Sequence, residues 1–219
     1  MQKSILIEPL QHSDAVEAML KQLKNPFDPK FVKCRVGATD KVKTKGIALF
    51  YIDSREVMKR LDEVCGMDGW ARKETETSKG CICELSVRMP YLVNGNEKWV
   101  LKADVGEFTK SSDFKGASSD SLKRAAVNFG IGRYLYYVPN QWYPLNEKKQ
   151  FAVKPTLPSW ATPQAVEDWE AVAIREYDQK HDVGLDGVDF ADEQAKEELE
   201  TSKRVREDII ASLKAKKND

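Results

Sequence analysis

The sequence predicts an α+β fold: a β-β-β-α core with an N-terminal β-hairpin, a curved antiparallel sheet packed on helices, and a helical C-terminal extension. Three patterns carry this reading. Two strand-like runs, Phe31–Val36 and Ile47–Ile52, flank a polar, lysine-rich loop bounded by Gly37 and Gly46, as in a hairpin. Cys81, Cys83, Leu85, Val87 and Met89 alternate with Ile82, Glu84, Ser86 and Arg88, the period of a half-buried strand, and Asn94-Gly95 turns the chain into a second strand, Trp99–Val105. Leu122, Ala125, Ala126 and Phe129 then form one apolar stripe at helical spacing within Ser118–Gly130.

Each element follows from local chemistry. Val16, Met19, Leu20 and Leu23 place a short amphipathic helix over Asp14–Lys24, capped by Ser13 or Asp14 and ended by Asn25-Pro26 and Asp28-Pro29, since proline disfavours a helical residue before it. After the hairpin, Val57, Leu61 and Val64 recur at i, i+4 and i+7, giving a helix over Ser54–Cys65 with Ser54 as its N-cap. Arg55, Lys59 and Arg60 lie largely off its buried face. Gly66–Gly69 closes that helix and Trp70–Thr77 opens a three-strand meander in which Cys81 and Cys83 share one core face. Ser118 or Ser119 caps the long helix, and the chain stays helical through Ile131–Val138 until Pro139. The ordered core is expected to end at the aromatic stretch with Trp142 and Tyr143. Pro155, Pro158 and Pro163 mark a linker, and Gln164–Lys180 and Ala191–Lys216 read as two charged helices. The chain thus divides into residues 1–29 (helix and connector), 30–150 (core) and 151–219 (acidic extension).

Composition removes several function classes. Of the 219 residues 41% are hydrophobic, yet no apolar run approaches the roughly 18 residues of a membrane span. Met1–Leu10 carries Lys3 and Glu8 without a long apolar stretch, so no secretory signal is visible and a cytoplasmic protein is expected. Four cysteines without C-x-x-C spacing read as reduced, buried thiols. No phosphate-cradling G-x-x-x-x-G-K-[ST] run occurs, which argues against ATP-driven chemistry. Gly130-Ile131-Gly132 follows a helix, not a strand, and reads as helix termination or close packing. The only histidines, His12 and His181, sit in polar segments, which removes most triads and zinc hydrolase sites. Asp104, Glu107 and Lys110 are the best group for a magnesium nuclease, but lack tight acidic-x-Lys spacing. No cofactor and no catalytic residue is expected.

The charge distribution is more informative than its total. Net charge is zero, but residues up to Gln150 carry +6 and those after it −6. Lys30–Arg60 alone accounts for +6, with Lys30, Lys33, Arg35, Lys41, Lys43, Lys45, Arg55, Lys59 and Arg60 against Asp40, Asp53 and Glu56. Such a field either concentrates a polyanion or is an ordinary solvated face.

Two sets of residues decide between these. Tyr51-Ile52-Asp53-Ser54-Arg55 through Leu61-Asp62-Glu63-Val64, Gly66 and Gly69-Trp70-Ala71 resembles the Rad52 superfamily of single-strand annealing proteins. Asp104-Val105-Gly106, Ser119-Asp120-Ser121-Leu122-Lys123-Arg124-Ala125-Ala126 and Phe129-Gly130-Ile131-Gly132-Arg133-Tyr134-Leu135-Tyr136 look especially like its DdrA-type bacterial and phage branch. The resemblance covers about residues 30–145, in the same order as the predicted elements.

What the resemblance implies is a homo-oligomer, ring or arc, that holds single-stranded DNA in a basic groove and anneals complementary strands without ATP, in recombination and repair. It implies no enzyme. The family's groove pair falls on Lys123 and Arg124, and a helix-start lysine on Lys115. An arginine near the start of the earlier helix aligns with Glu56, one place from the basic candidate, Arg55. A third basic position of the long helix is Val127 here, with Arg133 as a substitute. Lys33, Arg35, Lys43, Lys45 and Lys59 complete the expected DNA-binding set. Phosphate contacts of this kind release condensed counterions and are independent of sequence. Trp70, Trp99, Tyr134 and Tyr136 read as core or subunit-interface aromatics rather than base-stacking platforms. The alternatives are a passive end-protecting protein of the same fold and the magnesium nuclease. The acidic extension reads as an arm recruiting a single-stranded-DNA-binding protein, a DNA mimic, or a solvated appendage, in a bacterial or phage-infected cell, near the nucleoid.

Overall fold

The computed structural model describes residues 9–109, 113–165, 169–172, 189–190 and 200. They pack as two units, one from the described residues up to Asn25 together with those of Asp53–Gly132, the other from Pro26–Ile52 and the described residues from Arg133 on.

The first unit holds α1 (Pro9–Lys24), α2 (Ser54–Cys65), the strands β3 (Trp70–Glu76), β4 (Gly80–Val93) and β5 (Asn96–Glu107), and α3 (Phe114–Val127). The strands form an antiparallel sheet in the order β3-β4-β5, the expected meander. Asn94 and Gly95 both have positive φ, 53° and 78°, the type I′ geometry that matches strand twist, so β4 and β5 extend to the turn, well past Met89 and Trp99. Cys81, Cys83, Leu85 and Val87 are fully buried on one face, against α3, whose Ala117, Leu122, Ala125 and Ala126 are equally buried. The alternation seen in the sequence is therefore the core face of the sheet. All four cysteines are unpaired thiols, and burial pushes those of Cys65 and Cys83 up to about 11, which suits packing rather than reactivity.

Three helix starts differ from expectation. α1 begins at Pro9, so Ser13 and Asp14 lie within the helix rather than capping it. Asp53, not Ser54, caps α2, its carboxylate accepting the Arg55 N–H at 3.1 Å. Asp113, not Ser118 or Ser119, caps α3 by accepting the Lys115 N–H at 3.1 Å, so that helix begins a full turn earlier. An aspartate satisfies the same orphan donors and adds a negative charge at the positive end of the helix, and the apolar stripe alone does not reveal the added turn. The helix also ends sooner. Gly130 and Gly132 have φ of 94° and 72°, breaking the run, and a short 3₁₀ turn, Arg133–Tyr137, replaces the helix expected to reach Val138. A Cβ on Gly130 would lie 2.6 Å from Lys24 Cγ, so this glycine serves both termination and close packing.

Arg60 closes α1. Its guanidinium donates to the carbonyls of Gln22 (3.0 Å), Leu23 (3.2 Å) and Asn25 (2.6 Å), the orphan acceptors at a helix C-terminus. Arg60→Ala is expected to cost about 1–2 kcal/mol, read as a lowered melting temperature, while leaving nucleic-acid affinity unchanged.

The second unit is built on β1 (Val32–Thr39) and β2 (Lys45–Ile52), paired antiparallel from Val32↔Ile52 to Thr39↔Gly46, the predicted hairpin with longer strands. β6 (Trp142–Pro144) and β7 (Asp189–Phe190) complete a four-stranded sheet in the order β6-β2-β1-β7. The hairpin thus belongs to a sheet separate from the meander. Packing does not end at Tyr143. Trp160 and Ala161 are buried, and the Trp169 ring meets those of Tyr134 and Tyr137 edge-on at 6.3 and 5.2 Å. Tyr134 is fully buried and its hydroxyl accepts the Phe27 N–H at 3.1 Å, a core role in keeping with the sequence reading. Prolines 155 and 158 lead into this packing, and Pro155 is itself buried. Most of Gln164–Lys180 and, apart from Glu200, all of Ala191–Lys216 lie outside the described residues.

Candidate nucleic-acid interface

The contiguous basic run of the sequence is divided by the fold: Lys30–Lys45 lies in the second unit and Arg55–Arg60 in the first. Two of its cations are spent locally. Arg60 caps α1, and Lys30 pairs with Asp28 at 2.9 Å and stands over the Phe31 ring.

In the first unit α2 and α3 display five candidates. Arg55 is exposed in the first turn of α2, whereas Glu56 beside it is half-buried. Lys115 is exposed in the first turn of α3. These two helices are tied near their starts by a hydrogen bond from the Ser119 hydroxyl to that of Ser54, 2.8 Å. Two positive helix ends therefore lie in the same region as Arg55 and Lys115, which among the described residues form no ion pair. Lys59 is exposed, one turn on, with Glu63 at 3.8 Å, a contact of little energetic weight.

Lys123 and Arg124 are held differently. Both are half-buried beside the apolar stripe, and each faces a carboxylate: Lys123 Nζ lies 3.0 Å from Asp120 and Arg124 Nε 3.2 Å from Asp104 of β5. Asp104 also accepts the Val105 N–H at 2.8 Å, which orients it. Sequence reasoning missed both carboxylates as parts of this site. Asp120 was legible, three residues before Lys123 on a helix. Asp104 was not, because it reaches Arg124 only through the packing of β5 on α3. Lys102, on the same face of β5, donates to the Asn128 carbonyl and covers the Phe129 ring, so it secures the end of α3.

The second unit carries the other five. Lys33 and Arg35 share one face of β1, opposite Tyr51 and Leu49, with Lys33 exposed and Arg35 half-buried. Lys43 and Lys45 are exposed at the hairpin end, and Arg133 is half-buried at the start of the 3₁₀ turn. Asp40 builds the turn that presents the lysines, accepting the N–H groups of Thr44 (2.7 Å) and Lys45 (2.9 Å) and the Thr44 hydroxyl (2.8 Å). The Lys45 N–H, with the Thr44 hydroxyl and N–H, holds the Asp40 carboxyl below its ordinary range against the opposing effect of burial. A carboxyl depressed on folding contributes stability that is present above its unfolded value and lost as pH falls through its folded one. Hydrogen-exchange protection of the Thr44 and Lys45 amides is therefore expected to fall as pH drops below the ordinary Asp value. Asp40→Ala should remove that dependence and the protection together.

Of the residues considered for a magnesium nuclease, two are described. Asp104 is engaged by Arg124 and Val105, Glu107 is exposed at the end of β5, and Lys110 lies outside the described residues. Among the described residues no group of three or more His, Cys, Asp and Glu side chains is placed to share a metal ion, and no helix is long and apolar enough to cross a membrane.

A single-stranded DNA-binding protein DdrA of Deinococcus deserti is 40% identical over 146 residues, covering 65% of this chain and 69% of the relative. Its counterpart from Deinococcus radiodurans is 35% identical over 146 residues, covering 65% and 67%. The model of the Rad52/22 family of double-strand break repair proteins matches residues 15–153, which take in the helices bearing Arg55, Lys115, Lys123 and Arg124 and the strands beneath them, and the chain belongs to that family.

Proposed function

We propose that this protein binds single-stranded DNA through its phosphates and anneals complementary strands without nucleotide hydrolysis, in recombination and repair. The observation that carries the reading is the set of cations on α2 and α3, Arg55, Lys115, Lys123 and Arg124, on two helices joined by the Ser119–Ser54 hydrogen bond in a member of this family. Lys59 adds a further phosphate-binding cation in the first unit, and Lys33, Arg35, Lys43, Lys45 and Arg133 are the phosphate-binding cations of the second unit. The cations hold the backbone, so the bases stay available and a second strand tests pairing against one already extended. Base pairing supplies the driving force; the protein lowers the cost of search and ordering.

Residues 30–150 form the DNA-binding and oligomerisation core of this reading, and copies of the chain assemble through the meander. Its outward face supports this: Trp99, Leu101 and Val105 are 37%, 56% and 41% exposed along β5, an edge strand whose opposite face is covered by α3. The protein acts beside the nucleoid, and the acidic extension, residues 151–219, recruits a single-stranded-DNA-binding protein.

Two complementary fluorescent oligonucleotides, mixed with the protein in EDTA and without ATP, test the reading. Annealing faster than the protein-free rate is expected. Binding that leaves the rate unchanged makes the protein a passive end-protector, and loss of substrate on adding Mg²⁺ makes it a nuclease.

A further inference from the structure

The two cations in the C-terminal half of α3 are already paired with carboxylates before any ligand arrives. Lys123 lies 3.0 Å from Asp120 and Arg124 3.2 Å from Asp104, with the four side chains only 22–31% exposed. At such depth the pairs are screened less than surface pairs, and a carboxylate occupies a position that a phosphate oxygen would take. Asp104 is held there by the Val105 N–H, and Asp120 by its place one turn before Lys123, so neither is a loosely tethered counterion. Arg55 and Lys115, by contrast, stand exposed without a carboxylate partner among the described residues.

We infer that Asp104 and Asp120 are positioning residues that set how tightly single-stranded DNA is held, by competing with phosphate for Arg124 and Lys123. This rests on the proposed binding of single-stranded DNA. A phosphate that reaches the pair either displaces the carboxylate, which then takes up a solvent cation, or shares the basic group and is repelled by the carboxylate at close range. Both routes weaken binding, and the first also cancels part of the counterion release that normally drives it. The consequence suits an annealing protein: a strand is held strongly enough to be ordered and weakly enough to leave as duplex.

The test measures equilibrium binding of a fluorescent oligothymidylate across a salt series. The chains are wild type, Asp104→Asn, Asp120→Asn and the double variant, with Glu17→Gln on α1 as a control that removes one exposed negative charge elsewhere. Each Asn variant is expected to bind about three- to tenfold more tightly. The slope of log affinity against log salt is expected to steepen by up to about 0.7 for each carboxylate removed. Glu17→Gln should match wild type in both. A purely structural role for the carboxylates would lower stability without steepening the slope. Wild type that binds, with Asn variants of unchanged affinity and slope, overturns the inference and leaves the binding reading intact. Wild type that does not bind overturns that reading itself and the inference with it. Should Asp104→Asn fail to fold, Asp120→Asn alone decides the question at Lys123.

Discussion

Lys123→Ala/Arg124→Ala is expected to weaken single-stranded DNA binding by about ten- to a hundredfold and to return annealing close to the protein-free rate. Two effects add. Removing two phosphate-binding cations lowers the number of counterions released and flattens the salt slope. The substitution also leaves Asp120 and Asp104 without their cations, so a region that was locally neutral becomes negative where a phosphate must approach. The fold should survive, because the buried face of α3 is made by Ala117, Ser121, Leu122, Ala125 and Ala126, and these two part-buried ion pairs contribute only about 1 kcal/mol each. Binding and melting temperature measured on the same preparation check this. Retained affinity at an unchanged melting temperature would remove Lys123 and Arg124 from the interface.

Gly106→Val is expected to produce the largest loss of stability, about 3 kcal/mol or more, seen as a melting temperature lowered by about 10 °C. A Cβ at this position would lie 2.2 Å from the Ala117 carbonyl oxygen and 2.7 Å from the Ser121 nitrogen, both main-chain atoms of α3. No rotamer change relieves such a contact, so β5 and α3 must move apart. Because α3 carries Lys115, Lys123 and Arg124, and β5 carries Asp104, DNA affinity should fall with stability. Gly95→Ala in the β4–β5 turn is the informative contrast. It has φ of 78° but nothing within 4 Å of a new Cβ, so it carries only the left-handed backbone penalty of about 1 kcal/mol. A melting temperature for Gly106→Val within a few degrees of wild type would show that the strand and helix are not packed this closely.

Much of the architecture was legible in the sequence because it depends on neighbours in the chain. Period-two alternation over Cys81–Met89 identified a core face, and Asn94-Gly95 a turn between strands, since both are local steric requirements. Helix caps were less legible: Asp53 and Ser54 are both good caps, and only the three-dimensional start of α2 distinguishes them. The basic run Lys30–Arg60 was visible as charge but not as use, for nothing near Arg60 in sequence signals that its partners are the carbonyls of Gln22, Leu23 and Asn25.

By itself, then, the sequence determined the order of elements, the buried faces of β4 and α3, the basic character of the core and the residues by which the family is recognised. Periodicity, turn chemistry and charge act over a few residues and are written in the chain directly. Tertiary structure alone decided which cations are already engaged, that the hairpin forms a sheet apart from the meander, and that Trp160 and Trp169, beyond the predicted core segment, are buried, Trp169 against Tyr134 and Tyr137. It also decided that Asp104 meets Arg124 across a distance of twenty residues in the chain. Those contacts join segments remote in sequence, and which of them form is settled by the packing of whole elements, of which no local pattern keeps a record.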